Sequence, residues 1–315
     1  MDTLSHAIVG VAVAGLSGHP LSFQDPIYLA SLLGAQAPDF DIVAQIRGNF
    51  SYMKQHRAFS HSIPGLIMWS SIITACFFAA LPGVSPGIIF FWSFLGGLSH
   101  IIIDFFNAHG AAILWPFSRK RKSFGLLNVF DPLLLILMLS AFAQGLPTRE
   151  ASQLLFSLLG SYIGVRFILK LKTANLLRKH FNNYNVVRVL VLPSLRSIRF
   201  WDFVIETADT YYVGKIHLMQ QKVTIHTSLA RQTLSPAAIG AQKTYLGGFF
   251  TAFTPFCYCT EWEDNEKQSK LVRMYDLRYF FKDGFLHSAT VVLDRDERPC
   301  ASYIQTYGQK IKIPC

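Results

Sequence analysis

The sequence predicts an α-helical membrane domain followed by a mostly antiparallel β soluble domain. Three observations predict it. The 315 residues are 51% hydrophobic and only 15% charged, too apolar for an ordinary soluble enzyme, and a membrane half joined to a soluble half explains that average. Apolar runs of spanning length all lie before Lys170. Beyond Lys170 the runs become short and β-type. The expected domains are 1–170 in the membrane, a basic juxtamembrane helix or linker at 171–185, and a β-rich domain at 186–315.

The chain starts with two short apolar runs, Leu4 to Gly18 and Ile27 to Ala37. Each falls below the roughly 20 residues a crossing needs. Together they predict a short helical hairpin that returns His6 and Asp39 to one face; two tilted spans are the alternative. Four spans follow: Ile63–Leu81, Ile88–Phe106, Asp131–Gly145 and Ala151–Leu169. Turns at 82–87 and 146–150 separate two pairs of them. Arg166, inside the fourth span, is read as snorkelling to the interface. In the second half, β runs are expected at 186–192, 201–206, 210–219, 223–227, 271–281, 285–293 and 302–313. Lys282-Asp283-Gly284 suits a hairpin turn, with Asp-Gly supplying positive φ.

The formal charge of +10 points to loops held near anionic lipid. No helix-turn-helix or RNA-stacking motif is visible, so no nucleic-acid partner is expected. Placing basic loops inside puts 42–61, 107–129 and everything after 170 in the cytoplasm. The start of the chain lacks a basic segment and a small-residue cleavage site, so no removable signal peptide is expected. Cys76 lies in an apolar run; Cys257, Cys259, Cys300 and Cys315 lie in the polar half and read as reduced thiols. The Cys-Tyr-Cys spacing is tighter than a zinc knuckle.

Chemistry concentrates at the cytoplasmic ends of the spans. His100 and Asp104, four residues apart among Ile and Phe, share a helix face. Imidazole and carboxylate donors so placed suit zinc, and manganese or iron less specifically; a buried hydrogen-bonded pair is the bland alternative. His56 and His61 can ligate jointly if Ser60-His61 begins a helix. Arg57 has no lone pair to give a metal, but it can grip a phosphate or lie against lipid headgroups. Asp39 and Asp41, after Pro38, are candidates for bridging ligand or general base, or for helix caps. Ser60 and Ser62 read as caps. The expected metal ligands are His6, Asp39, His56, His61, His100 and Asp104, and the expected catalytic residues are Asp39, Asp41 and Arg57. Asn107, His109 and Asp131 are candidates for supporting these residues or supplying one more ligand. His19 reads as solvated, and His180, His217, His226 and His287 as structural.

In their order, His6, Pro38-Asp39-Phe40-Asp41, His56-Arg57-Ala58-Phe59-Ser60-His61-Ser62, Gly97-Leu98-Ser99-His100-Ile101-Ile102-Ile103-Asp104 and Trp115-Pro116-Phe117-Ser118 resemble the YdjM-like family. Its members are predicted inner-membrane metal-dependent hydrolases, some under LexA control. The resemblance covers roughly residues 1–170. The family is distantly similar to zinc-dependent phospholipase C and related nucleases, which bind several zinc ions through helical His and Asp. That similarity implies phosphodiester or phosphomonoester hydrolysis in a bacterial inner membrane.

The expected function is therefore a membrane-bound hydrolase dependent on a divalent metal, zinc first. It would act on a lipid or lipid-linked phosphate at the cytoplasmic leaflet. The rival is a non-catalytic metal sensor or scaffold whose β domain binds a protein partner. An ion transporter is a third reading, weakened because the acidic and histidine residues do not continue to the other face.

Overall fold

A computed structural model describes residues 1–41, 59–108, 110, 111, 113, 115–118, 121–194, 199–264, 269–306 and 308–313. The chain divides into two compact units, Met1–Lys170 and Leu171–Cys315.

The first unit is helical. Asp2 caps α1 (Thr3–Gly15) by accepting from the Ser5 N–H, and Asp25 caps α2 (Pro26–Gln36) with proline in its first turn. A 3-10 turn over 37–41 then carries Asp39 and Asp41. A second 3-10 turn, Phe59–His61, leads into α3 (Ile63–Ala80), capped by Ser62. The sequence continues through α4 (Pro86–Phe106), α5 (Pro132–Phe142) and α6 (Thr148–His180).

Helices α3, α4 and α6 are long and apolar enough to cross a membrane; α1 and α5 are shorter apolar helices. The span expected from Asp131 to Gly145 is thus corrected. Its helix has 11 residues, about 16 Å at the helical rise, roughly half the hydrocarbon thickness. Gly145 at φ 67° and the Pro147 that follows stop it. The segment read as a basic juxtamembrane helix or linker at 171–185 begins as helix, since α6 runs to His180.

One core joins Val9, Ala12 and Val13 of α1 to Ile103, Leu126, Leu127, Leu134, Met138, Leu155 and Leu159. A second joins Ala30 of α2 to Ile73 and Phe77 of α3 and Ile89 of α4. Small residues let the backbones approach. A Cβ built on Gly34 would lie 2.0 Å from Ser93 O, and one on Gly96 2.1 Å from Ser31 O.

Arg166 does not snorkel. It is 3% exposed and its Nε–H donates to Leu126 O at 3.0 Å. One turn away on either side, Tyr162 donates to Asp131 at 2.7 Å, and Lys170 donates to Phe124 O. The polar stripe of α6 therefore holds the 124–131 segment by the backbone carbonyls of Phe124 and Leu126 and by the Asp131 carboxylate.

The second unit holds two antiparallel sheets. One is the meander β1 (Val186–Pro193), β2 (Phe200–Thr207), β3 (Thr210–His217) and β4 (Lys222–Ala230). Then come α7 (Pro236–Lys243) and α8 (Tyr245–Phe253). The other sheet has the order β11-β10-β9-β6-β5, from β5 (Cys257–Asp264), β6 (Ser269–Asp276), β9 (His287–Leu293), β10 (Pro299–Thr306) and β11 (Gln309–Ile313). The small hairpin β7 (Phe280–Phe281) and β8 (Gly284–Phe285) lies between β6 and β9 in sequence, and its positive φ falls on Lys282. Val204 and Val213 of the meander pack with Phe256, Leu277, Tyr258 and Tyr275.

Asp202 on β2 pairs in register with Lys215. Burial pushes its carboxyl up to about 6, against the opposing pull of a hydrogen bond from Ser194 and the charge of Lys215. A carboxyl raised in the folded state holds its proton to higher pH than the unfolded chain does. Its contribution to stability therefore falls as pH rises from about 4 to about 6. Asp202→Asn is expected to remove that fall and to stabilise this unit at pH 7 by about 1–2 kcal/mol, allowing for partial solvent screening. Chemical unfolding of wild type and variant at about pH 4.5 and about pH 7 checks it. Equal differences at both would refute the assignment.

Candidate metal centre

Four elements of the first unit converge. The opening turns of α1 bring His6, the 3-10 turn after α2 brings Asp39 and Asp41, the 3-10 turn before α3 brings His61, and α4 brings His100 and Asp104. His6, His61, His100 and Asp104 are buried to 1% exposure or less. The Asp39 side chain keeps 27%, so it stands at the open side.

Hydrogen bonds fix which imidazole nitrogen faces inward. His100 Nδ1–H donates to Ala35 O at 2.7 Å. That bond puts the hydrogen on Nδ1 and the lone pair on Nε2. Ser60 Oγ donates to Asp41 at 2.7 Å, which leaves Ser60 Oγ to accept from His61 Nδ1 at 3.0 Å. His61 Nε2 is therefore also a lone pair. The two Nε2 atoms face each other across 3.2 Å. Carboxylates surround them: Asp39 Oδ1 lies 3.6 Å from each Nε2, and Asp104 Oδ2 lies 3.5 Å from that of His61 and 3.8 Å from that of His100. Acceptors aimed at one point repel one another unless a cation joins them; the Met1 ammonium contacts Asp104 Oδ1 of this set.

His6 stacks on His100 with ring centroids 3.6 Å apart, and its Nε2 is 3.5 Å from Asp104 Oδ1. Its buried Nδ1 has no hydrogen-bond partner among the described residues. The Met1 α-amino group donates to Asp104 and lies 3.0 Å from His6 Nε2.

Two three-residue sets have ligand atoms within 4.8 Å of one another: His6, Asp39 and His100, and His61, His100 and Asp104. Three protein ligands of the N and O type form an open site that fits a divalent ion, and His100 belongs to both sets. The residues present could therefore hold a metal.

Asp41 faces Nδ1 of His61, 3.7 Å away, on the side opposite the converging Nε2 atoms. It orients His61 through Ser60. Asp131 caps α5 through the Leu134 N–H and accepts from Tyr162. Asn107 is buried at the end of α4 and bridges to Leu127. Ser62 is the cap expected; Ser60 is instead a linking hydroxyl. His19 is exposed and pairs with Asp25 at 2.7 Å. His56, Arg57 and His109 lie outside the described residues. Sequence reasoning did not include the Ala35 carbonyl or the Ser60 link. A backbone acceptor carries no side-chain signal, and Ser60-His61 reads equally well as a helix start.

Residues 1–173 match the family described as YdjM inner membrane protein. The chain belongs to this family. The YdjM match contains the whole cluster from His6 to Asp104. Residues 236–312 match the YfhP C-terminal alpha/beta plait domain, which agrees with helices α7 and α8 accompanying the second antiparallel sheet. The YfhP protein of Bacillus subtilis (strain 168) is 32% identical over 314 residues, covering 96% of this chain and 94% of that protein. No solved structure matches. Family, apolar helices and buried cluster together describe a membrane protein with a His/Asp centre able to bind a metal ion.

Removing the carboxylate behind His61 tests how much that support matters. Asp41→Ala is expected to weaken zinc binding about 10- to 100-fold, the usual effect of losing a partner that orients a ligand. Competition with a zinc chelator measures it; an unchanged affinity would separate Asp41 from the centre.

Proposed function

We propose that this protein is a membrane-bound, metal-dependent hydrolase of a phosphoester in a lipid or lipid-linked substrate, working at the cytoplasmic leaflet. The observation that carries the reading is the pair of inward imidazole nitrogens 3.2 Å apart, flanked by the half-buried Asp39 and the buried Asp104. His6, Asp39, His61, His100 and Asp104 would hold the metal, with zinc the best fit to nitrogen and carboxylate donors. Bound there, a divalent ion supplies Lewis acidity, drawing charge from a phosphoryl oxygen and making water a better nucleophile.

Asp39 is the accessible carboxylate and takes the proton from the attacking water. Asp41 and Ser60 keep the lone pair of His61 pointed inward. Arg57, and His56 as a further ligand, enter this proposal from the sequence alone, Arg57 as the grip on the anionic substrate. The basic loops support a cytoplasmic position for the site and the second unit.

The test uses detergent-purified protein loaded with zinc and incubated with mixed micelles of phosphomonoester and phosphodiester lipids. Release of phosphate or headgroup is expected, and Asp39→Asn should abolish it. Zinc bound but no turnover on any phosphoester would remove the hydrolase reading and leave a metal-binding scaffold.

A further inference from the structure

A second cluster of metal-type ligands sits in the other unit, on edge strand β5. Cys257 and Cys259 are two apart on a strand, so their side chains leave the same face. Antiparallel register sets Cys259 opposite Met274 and Cys257 opposite Asp276, which adds a thioether and a carboxylate to that face. Helix α7 with its cap Ser235, and Thr254 at the end of α8, also meet it. Gln242 Nε2 donates to Cys259 Sγ at 3.3 Å, Ser235 donates to Glu261 at 2.7 Å, and Thr254 donates to Asp276 at 2.7 Å. Both cysteines are free and partly exposed, whereas Met274, across the ladder from Cys259, is fully buried.

An internal disulfide fits this geometry badly. Residues i and i+2 of a strand are about 6.6 Å apart at Cα with parallel Cβ vectors, at the outer limit for a bridge. Two sulfurs sharing one ion sit about 3.8 Å apart at ordinary metal–sulfur lengths, a span that side-chain rotation supplies. Asp276 is committed to Arg278 by a paired contact of 2.7 Å, and Glu261 accepts from Ser235 and pairs with Lys270 at 3.4 Å, which leaves sulfur as the available donor type.

We propose that Cys257 and Cys259 form a two-sulfur clasp for a soft, thiophilic d10 cation of the Cu(I) or Zn(II) kind, with Met274 as the thioether on the same face. Thiolate and thioether donors select such ions over hard ones. Closure of the clasp releases the thiol protons to solvent. This site is separate from the His/Asp centre and does not depend on its function.

The test titrates the full-length, detergent-solubilised chain with Cd2+ alone and follows the ultraviolet thiolate-to-cadmium charge-transfer band, which His and Asp ligands do not produce. The band should saturate at about one ion per chain. It should vanish in Cys257→Ser/Cys259→Ser and persist in Cys300→Ser and in His61→Ala/His100→Ala. In wild type, which carries no folding risk, Cd2+ should protect Cys257 and Cys259 from alkylation as read by peptide mass spectrometry. Displacement of Cd2+ by buffered Cu(I) or by Zn2+ then identifies the ion. Absence of the band in wild type, its survival in the double serine variant, or displacement by neither ion would overturn the clasp.

Discussion

His100→Ala is expected to leave the purified chain almost free of zinc. The effect is large because His100 belongs to both ligand sets. Structural zinc binding totals about 10–16 kcal/mol over four ligands, so one ligand is worth roughly 3 kcal/mol, or somewhat over a hundredfold. Losing it from two sets compounds that figure. The substitution also leaves Ala35 O without its donor, so stability and metal must be read separately. A strong chelator should lower the unfolding temperature of wild type, because metal bound only to the folded chain stabilises it. The same chelator should leave His100→Ala unmoved. If the variant retained wild-type zinc by elemental mass spectrometry, the convergence of imidazoles would not be a metal centre.

The sequence discloses side chains better than the contacts that aim them. His100 and Asp104 stand out because two polar groups one turn apart inside Ile101-Ile102-Ile103 demand partners. Asp39 stands out because Pro38 ends the preceding helix just before it. What no local pattern discloses is that Ala35 O would choose the tautomer of His100, or that Ser60 would link Asp41 to His61. Those are through-space facts, set by how α2 crosses α4 and by how the two 3-10 turns meet. The missed elements have local causes. Ser235-Pro236 is a good helix start, but α7 has 8 residues and almost no apolar periodicity. Strand β5 alternates Cys, Cys and Glu with Tyr, Thr and Trp, so neither face looks like a conventional core. The short α5 misled in the opposite direction: continuous apolar residues from Leu133 to Leu139 look like a span until the glycine and proline beyond them are given full weight.

Gly34→Ala should damage both the fold and the centre, although alanine is the better helix former. Propensity alone predicts a gain of about 1 kcal/mol. Packing predicts the opposite. The added Cβ would lie 2.0 Å from Ser93 O, 2.7 Å from its carbonyl carbon and 2.8 Å from its Cα. All three are backbone atoms of α4, so no side chain can turn away and the two helices must separate. Overpacking of this kind costs about 1–3 kcal/mol, and more where backbone resists, which exceeds the propensity gain. The separation also acts on chemistry. Ala35, the next residue, holds His100 Nδ1 at 2.7 Å, and a shift of about 1 Å takes that contact beyond hydrogen-bonding range. His100 then loses its fixed tautomer, and zinc affinity should fall about 10- to 100-fold with the unfolding temperature. Gly164→Ala on α6 is the matched control, since nothing lies within 4 Å of its added Cβ. It should be neutral or slightly stabilising and should keep its zinc. If Gly34→Ala matched that control in both thermal unfolding and metal content, the close crossing of α2 and α4 could not be what aims His100 into the centre.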